Sequence, residues 1–432
     1  MNFSESLNYL YNLGNEVLAM KLGLENITTL LRALGNPQEK FMKVQIAGTN
    51  GKGSTCAFIE SICLQAGIRT GLNTSPHLVS ITERIRINGV EISQEQFARY
   101  ASLIKDVSID LLRKGELEAL PTFFEQVTAI AIKAFADAEI ELAVLETGLG
   151  GRFDAVTAAK ADIVVFTQID LDHQRILGDT IEKIAEEKAA IIRPDTLVIS
   201  SQQKPEAMNV ILRKCKQYNL VPHFASNVLV TEIDERLQFK TIGNEYRNIQ
   251  LGLLGRHQLE NAKTAVLVAE QLQKYFVISA EAIVNGLRSV KHKGRLEFDG
   301  KFLFDGSHNI AGARALREFL DESVDKPIVM LFSVMKDKDV EEIAEILFPR
   351  ASRLVLTEVS ERSMPIERLH RIALKYLTSD RVFAVNNVDE ALNKALEIAG
   401  VDDLILVTGS LYLIGEVQKR RNSYAARSHS NT

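Results

Sequence analysis

Short apolar runs alternate along the chain with longer segments in which apolar residues recur every three or four positions. The short runs are predicted strands, namely Met42–Ala47, Leu142–Leu145, Ile163–Gln168, Lys301–Phe304, Ile328–Phe332, Arg353–Thr357 and Leu404–Thr408. The longer segments are predicted amphipathic helices, among them Glu182–Ile192, Gln258–Leu272 and Val340–Leu347. Nearly continuous apolar strands that alternate with helices are typical of parallel sheets covered by helices on both faces. The pattern therefore predicts an α/β fold.

Three segments interrupt this alternation. Asn88-Gly89 separates two short alternating stretches, which predicts a hairpin with a type I′ turn. Residues 197–251 contain several β-like pieces and suit a small antiparallel subdomain. Lys291–Gly294 breaks the pattern just before a new strand. We therefore place a domain boundary there, with residues 1–294 as the first domain and residues 295–432 as a smaller α/β domain.

Composition narrows the class of protein. The 432 residues, of which 46% are hydrophobic and 25% charged, suggest a globular chain of two or three domains. A net charge of −5 without a Lys/Arg stripe argues against a nucleic-acid partner. We see neither a signal-peptide pattern nor an apolar stretch of 18 residues, so we expect no membrane association. Three scattered cysteines, Cys56, Cys63 and Cys215, favour a reducing compartment such as the cytoplasm.

A glycine-rich motif follows the predicted strand Met42–Ala47 and opens a predicted helix at Ser54–Ala66. Strand, glycine loop and helix are the context of a phosphate-binding loop, in which backbone N–H groups and the helix N-terminus face phosphate oxygens. The residues predicted to contact ATP here are Thr49, Asn50, Gly51, Lys52, Gly53 and Ser54. Lys52 is expected to reach the terminal phosphates and Ser54 to hold Mg²⁺. An extra glycine separates Lys52 from Ser54, and an ordinary glycine turn is the alternative. A P-loop alone would serve a switch GTPase, a motor, a kinase or a ligase.

Six segments in fixed order make the sequence more specific. They are AGTNGKGS, LETGLGGRFDA (Leu145–Ala155), the stretch Asp170–Ala189, GRHQLENA (Gly255–Ala262), GRLE (Gly294–Glu297) and DGSHN (Asp305–Asn309). Together they resemble the folylpolyglutamate synthase/dihydrofolate synthase family, a branch of the Mur ligase superfamily, over roughly residues 5 to 415. The resemblance implies a P-loop parallel-sheet ATPase domain with a small antiparallel subdomain, followed by a C-terminal Rossmann-like domain.

The resemblance also implies a reaction. ATP phosphorylates a substrate carboxylate, and the amino group of L-glutamate then displaces the phosphate. The expected carboxylate belongs to tetrahydrofolate and, because Leu22–Leu24 and Thr74–Leu78 resemble the bifunctional type, also to dihydropteroate. We expect ATP and Mg²⁺, with two metal sites, as cofactors, and a monomer because one chain supplies both domains.

Site roles follow from the same resemblance. Ser54, Ser75, Glu146 and His173 are implied as metal ligands, and Lys188 as a lysine carbamylated by CO₂ that helps to hold a second Mg²⁺. Lys52, His173 and Lys188 are the implied catalytic residues. Four of these residues have a plainer interpretation: Ser75 begins a Ser-Pro turn, Glu146 is a surface residue at a strand end, His173 is a polar loop residue, and Lys188 is a surface lysine of a helix.

The remaining implied contacts concern the nucleotide and the pterin. Asn261, Arg295 and Asp305 match positions that contact ATP, although a helix cap and an ion pair would explain them as well. The residues implied for pterin binding are Leu22, Gly23, Leu24, Thr122, Phe123, Phe124, Glu125, Phe153, Asp154 and Ala155. At least one of Phe123 and Phe124 is expected in the core. The glycine loop Gly148–Arg152 is expected to move over the substrate, and Val156-Thr157 follow it where relatives usually have Thr-Asn.

Two other functions fit parts of the sequence. A Mur-type ligase acting on a nucleotide-linked cell-wall precursor would share the motifs, but such enzymes usually carry a further domain before the P-loop, which here begins at residue 48. A P-loop switch or motor would explain the glycine loop but neither GRLE nor DGSHN. The glutamate ligase explains all six segments.

Overall fold

The computed structural model describes residues 1–14 and 23–429, with side chains of the last helix described as far as residue 421. The helices are α1 (Phe3–Tyr11), α2 (Glu25–Ala33), α3 (Lys52–Gln65), α4 (Gln94–Arg113), α5 (Phe123–Asp137), α6 (Gln174–Leu177), α7 (Ile181–Ala189), α8 (Pro205–Gln217), α9 (His257–Leu272), α10 (Ala280–Ser289), α11 (Ile310–Ser323), α12 (Val340–Leu347), α13 (Ile366–Ala373), α14 (Val388–Ile398) and α15 (Leu411–His429).

The strands are β1 (Met42–Ala47), β2 (Thr70–Asn73), β3 (Ile85–Ile87), β4 (Val90–Glu91), β5 (Leu142–Glu146), β6 (Ile163–Phe166), β7 (Leu197–Ser200), β8 (His223–Phe224), β9 (Leu229–Ile233), β10 (Arg236–Lys240), β11 (Glu245–Ile249), β12 (Glu297–Asp299), β13 (Phe302–Asp305), β14 (Ile328–Phe332), β15 (Arg353–Leu356), β16 (Val382–Ala384) and β17 (Leu404–Thr408). The predicted strands are all present, several at the predicted residues. In the described part of the chain, none of the helices combines the length and the apolar composition needed to span a bilayer.

The described residues form two compact units. The first contains Met1–Ser75, Ile81–Gly252 and Glu260–Val290, and the second contains Pro76–Ser80, Leu253–Leu259 and the chain from Lys291 onward.

The first unit is built on an eight-stranded sheet in the order β4-β3-β2-β5-β1-β6-β7-β8. The pairs from β2 to β8 are parallel, and β3 and β4 add an antiparallel edge. Helices α4 and α5 bury apolar side chains beside the sheet in one core cluster, and α7 and α8 do so in another. Because β1 lies between β5 and β6, the loops after these three strands meet at one edge of the sheet.

The predicted hairpin is confirmed. Strands β3 and β4 pair antiparallel with Ile87 opposite Val90. Asn88 has a φ of 51° and Gly89 a φ of 79°, the two positive values that a type I′ turn requires.

The extent predicted for the antiparallel subdomain was wrong. Leu197–Ser200 and His223–Phe224 are parallel strands of the large sheet, and the helix α8 connects them. Only β9, β10 and β11 form the separate antiparallel sheet. The run Leu197–Ser200 is largely buried and follows a helix, which is the pattern of a parallel crossover rather than of a hairpin.

The second unit has a six-stranded sheet in the order β12-β13-β17-β14-β15-β16. All its pairs are parallel except the antiparallel edge pair of β12 and β13. Helices α11, α12 and α13 pack with one core cluster, and α14 and α15 with another, so the sheet is covered on both faces. This is the predicted Rossmann-like arrangement.

Candidate functional site

The phosphate loop joins β1 to α3 at the carboxyl-terminal end of the strands in the first unit's sheet. The helix begins at Lys52, not at the predicted Ser54, because Gly51 adopts a left-handed φ of 85° at the cap position. A side chain on Gly51 would collide with the Asn261 side chain of α9, so this glycine also permits a close approach. Asn261 therefore lies beside the loop. The Lys52 ammonium donates to the Thr49 carbonyl at 3.2 Å, within the loop itself.

The loop after β6 is hydrogen-bonded to the phosphate loop. The N–H groups of Thr49 and Asn50 donate to the Gln168 carbonyl at 2.8 and 3.2 Å. The Thr49 hydroxyl oxygen also lies 3.0 Å from both the carbonyl oxygen and the amide nitrogen of Asp170. These bonds tie the phosphate loop to the segment that continues to His173.

His173 starts the short helix α6 with a left-handed φ of 50° and a partly exposed ring. The Asp172 carboxylate accepts from the His173 backbone N–H at 2.8 Å, and its other oxygen lies 3.9 Å from His173 Nε2. Sequence reasoning named His173 and missed Asp172. The signal available to it was the adjacent Asp-His pair shortly after a buried strand.

Glu146 and Ser75 are brought together at the ends of neighbouring strands. The buried Glu146 carboxylate accepts from the Ser75 N–H at 3.0 Å, and Glu146 is paired in register with Ile46 of β1. Ser54 is buried in the first turn of α3. Hydroxyl and carboxylate oxygens are the donors that Mg²⁺ prefers.

A divalent cation fits this donor set. Among the residues that the structure describes, no group of three or more His, Cys, Asp or Glu side chains is arranged to bind a metal. Mg²⁺ is commonly bound by one or two carboxylates, with phosphate oxygens and water completing its shell. One carboxylate with nearby hydroxyls beside a phosphate loop meets that requirement.

Lys188 is not a surface lysine. Its side chain in the last turn of α7 is 5% exposed, and its ammonium group donates to the Gly48 carbonyl of the phosphate loop at 2.8 Å. Burial lowers the pKa of Lys188 to about 7, with a further contribution from the charge of Lys52 and opposing ones from Asp172 and Asp154. Its neighbour Glu187 forms an ion pair with Arg152 at 3.0 Å.

The glycine loop Gly148–Arg152 is organised around Asp154. The buried Asp154 carboxylate accepts from the N–H groups of Leu149 at 2.9 Å and Val156 at 3.0 Å, and the Gly148 N–H also points to it. Burial raises the pKa of Asp154 to about 6, against the lowering effect of these N–H groups. The carboxylate predicted to face the pterin thus also holds the loop.

Two residues predicted for pterin binding cap a helix. The Thr122 hydroxyl accepts from the Glu125 N–H at 3.3 Å, and the Glu125 carboxylate accepts from the Thr122 N–H at 2.7 Å. This is the reciprocal capping box of α5, whose Thr-x-x-Glu signature was present in the sequence.

The aromatic candidates differ in their surroundings. Phe123 is buried in the core and stacks on Tyr11, with ring centroids 5.6 Å apart. Phe124 lies against the glycine loop, since a Cβ on Gly148 would be 2.7 Å from its ring. Phe153 is 41% exposed, whereas Ala155 beside it is buried.

The other pterin candidates lie near the N-terminus. Leu22 lies outside the described residues. Gly23 is next to the Glu25 side chain, and Leu24 precedes α2 and packs partly against the core.

Arg295 and Asp305 share one corner of the second unit. The buried Asp305 carboxylate accepts from the Leu296 N–H at 3.1 Å and the Ser307 N–H at 3.0 Å, and also from the Ser307 hydroxyl. A Cβ on Gly306 would lie 3.0 Å from the Arg295 guanidinium, so that group sits directly against this turn.

Comparison with known proteins identifies the family. The Mur ligase middle domain matches residues 46–269, and the Mur ligase glutamate ligase domain matches residues 294–411. Dihydrofolate synthase/folylpolyglutamate synthase of Bacillus subtilis (strain 168) is 34% identical over 437 residues, covering 94% of this chain and 96% of the relative.

Solved structures match nearly the whole length of the chain. E. coli FolC in complex with DHPP and ADP matches with a TM-score of 0.87 at 26% identity, covering 98% of this chain and 99% of that one. A bifunctional folylpolyglutamate synthase/dihydrofolate synthase with Mn, AMPPNP and L-glutamate bound matches with a TM-score of 0.85 at 26% identity, covering 98% of both chains. The phosphate loop, the buried Glu146 and the buried Lys188 thus lie in a chain that belongs to the Mur ligase family, in its dihydrofolate synthase/folylpolyglutamate synthase branch.

Proposed function

We propose that this protein is an ATP-dependent ligase that joins L-glutamate to the carboxylate of tetrahydrofolate and of 7,8-dihydropteroate. The observation that carries the proposal is the convergence of a phosphate loop, a buried carboxylate and a buried lysine at one sheet edge. The relatives support the substrates, because they are named for folylpolyglutamate and dihydrofolate synthesis and include complexes with DHPP, ADP and L-glutamate.

The reaction has two steps. The γ-phosphoryl group of ATP passes to a carboxylate oxygen of the acceptor, which releases ADP and leaves an acyl phosphate. The amine of glutamate then attacks the acyl carbon, loses a proton, and phosphate departs as the amide forms. Electrostatic stabilisation of the transferred group is the main task of the protein in such a step.

Lys52 and the N–H groups at the start of α3 would neutralise the phosphoryl oxygens. Ser54, Ser75, Glu146 and His173 are proposed to hold Mg²⁺, which supplies further positive charge to the phosphates when bound. Asn261 beside the loop, and Arg295 and Asp305 in the second unit, are proposed as nucleotide contacts.

Lys188 is proposed as the site of carbamylation. A neutral amine is required to attack CO₂, and a pKa of about 7 leaves most of the Lys188 side chains neutral at pH 8. The carbamate that forms is an anion close to the carbonyl of Gly48 and to Lys52, where it would help to hold a second cation.

The acceptor is proposed to bind at the glycine loop. Phe124 lies against Gly148 and Phe153 is exposed, so both offer aromatic surface to a flat pterin. Asp154 would accept from pterin N–H groups while it holds the loop. Leu22, Gly23, Leu24 and the capping pair Thr122 and Glu125 remain candidates, with Ala155 at the loop end.

We also propose a monomeric enzyme of the cytoplasm, with functional domains at residues 1–294 and 295–432. The cysteines Cys56, Cys63 and Cys215 are all buried and not in disulfides, which supports a reducing compartment.

The test is ligation itself. Purified protein is incubated with ATP, Mg²⁺ and L-glutamate, with dihydropteroate, with tetrahydrofolate or with neither, while phosphate and product mass are followed together. We expect acceptor-dependent phosphate release and a mass gain of one glutamate with each acceptor, both absent from Lys52→Ala. Phosphate release at the same rate with and without either acceptor would refute the proposal. It would favour another carboxylate substrate or a switch ATPase.

A further inference from the structure

A buried glutamine in the middle of the large sheet is hydrogen-bonded to two threonines. Gln45 of β1 is fully buried and lies in register between Leu145 of β5 and Val164 of β6. Its side-chain amide nitrogen donates to the Thr157 hydroxyl at 2.8 Å and to the Thr147 hydroxyl at 3.2 Å. A polar side chain at this position costs desolvation, so its hydrogen bonds decide whether it is tolerated.

The direction of these bonds is determined by their chemistry. An amide NH₂ group can only donate, so the Thr157 hydroxyl accepts from Gln45 and its own single proton is free for another acceptor. That acceptor is the Gly151 carbonyl, at 2.8 Å. The glycine loop is therefore tied to the centre of the sheet through one hydroxyl group.

Gly151 in turn packs closely against the last turn of α7. A Cβ at Gly151 would be 2.7 Å from the Glu187 carbonyl and 2.9 Å from the Lys188 carbonyl. The next residue, Arg152, donates its backbone N–H to the Glu187 carbonyl at 2.9 Å. The loop is thus held between the sheet on one side and the turn that carries Lys188 on the other.

We propose that Gln45 and Thr157 are positioning residues of the ligase. They fix the glycine loop Gly148–Arg152 against α7, and they thereby set the acceptor side of the site relative to Lys188. The proposal rests on the proposed function, because the acceptor and the role of Lys188 come from it. This link predicts that loss of the Thr157 hydroxyl loosens the loop. It also predicts that binding of the acceptor is weakened more than binding of ATP.

The test compares Thr157→Val, which keeps the shape and removes the hydroxyl, with Thr157→Ser, which keeps the hydroxyl. Thr70→Val is the matched control, because the Thr70 hydroxyl on β2 of the same sheet is buried and has no hydrogen-bond partner among the described residues. Hydrogen exchange of the loop amides is measured on the free enzyme. Values of KM for dihydropteroate and for ATP, and kcat, are measured on the same preparations.

We expect Thr157→Val to exchange its loop amides about tenfold faster and to raise KM for dihydropteroate about tenfold, the loss that one hydrogen bond typically causes. KM for ATP should stay within about twofold, Thr157→Ser should return both readouts close to wild type, and Thr70→Val should match wild type.

Three results would overturn the proposal. Loop exchange in Thr157→Val equal to that in Thr70→Val would mean that the hydroxyl does not hold the loop. Faster loop exchange with an unchanged acceptor KM would mean that the tether has no role in positioning. Equal losses in KM for ATP and for the acceptor, not restored by Thr157→Ser, would indicate a general structural defect. Failure of the wild-type enzyme to ligate glutamate would instead refute the proposed function, and the exchange data would still report on the tether.

Discussion

Replacing Lys188 by Met should make the protein more stable and inactive. Met keeps an unbranched side chain of similar length but has no charge to bury. Lys188 is 5% exposed, and burial is the largest cause of its lowered pKa. The wild-type protein therefore carries a group that opposes folding whenever the unfolded chain holds the proton.

The magnitude follows from the pKa. It is lowered from 10.5 to about 7, and each pKa unit corresponds to about 1.36 kcal/mol. At pH 7 the unfolded lysine is protonated, so burying the side chain costs about 4 kcal/mol. Loss of the hydrogen bond to Gly48 offsets about 1 kcal/mol of the gain. We expect Lys188→Met to raise the free energy of unfolding by about 3 kcal/mol at pH 7.

The sign of the pH dependence provides an internal check. Between about pH 7 and pH 10.5 the unfolded state binds the proton that the folded state has released, so the wild-type free energy of unfolding rises with pH across this window. The advantage of Lys188→Met should therefore shrink to about 1 kcal/mol at pH 9.

Urea unfolding at pH 7 and pH 9, in bicarbonate-free buffer without ligands, measures both values. Lys183→Met is the control, because Lys183 lies on the same helix but is exposed and pairs with Asp179. It should keep activity and near wild-type stability. A Lys188→Met protein that is less stable than wild type at pH 7 would refute the reasoning, since the amine would then stabilise the fold as a paired cation.

Three further substitutions test the phosphate loop and the proposed Mg²⁺ ligand Glu146. Lys52→Ala should lower kcat by about a thousandfold with the fold intact, measured as acceptor-dependent phosphate release, because it removes a charge from the transferred phosphoryl group. Gly51→Ala should destabilise by about 1–2 kcal/mol and weaken ATP binding in calorimetry, since Gly51 has a φ of 85° and a Cβ there collides with Asn261. Glu146→Gln should raise the Mg²⁺ concentration for half-maximal rate at least about tenfold with an unchanged melting temperature, because its amide oxygen can still accept from Ser75. Unchanged kcat, ATP affinity or Mg²⁺ dependence, respectively, would contradict these assignments.

Local sequence patterns predict individual strands and turns of this fold. The strand β1 and the Asn88-Gly89 turn were found because apolar runs and positive-φ residues act over a few positions. The sequence predicts the start of α3 at Ser54 because Gly53 suits a loop, but the chain bends into the helix at Gly51. The Thr-x-x-Glu pattern also predicts the capping box of Thr122 and Glu125, whereas the resemblance implies that both residues bind the pterin.

The contacts that complete the site could not be predicted from local sequence patterns. Gln45 and Thr157 are 112 positions apart, and Lys188 is 140 positions from the carbonyl that it contacts. Their proximity depends on the order of strands in the sheet, which no short window of sequence encodes. Asp172 differs in part: the adjacent Asp-His pair is a local signal, but its effect on Lys188 exists only after α7 packs near the phosphate loop.

The central place of β1 in its sheet has a consequence for biosynthesis. Its two neighbours, Leu142–Glu146 and Ile163–Phe166, are made long after Met42–Ala47 has left the ribosome. Pairings between distant segments form slowly, and an apolar strand without neighbours is prone to aggregate. A nascent chain that ends before β6 therefore displays β1 with an unpaired edge. Chaperone dependence during synthesis should consequently be greatest before β6 emerges.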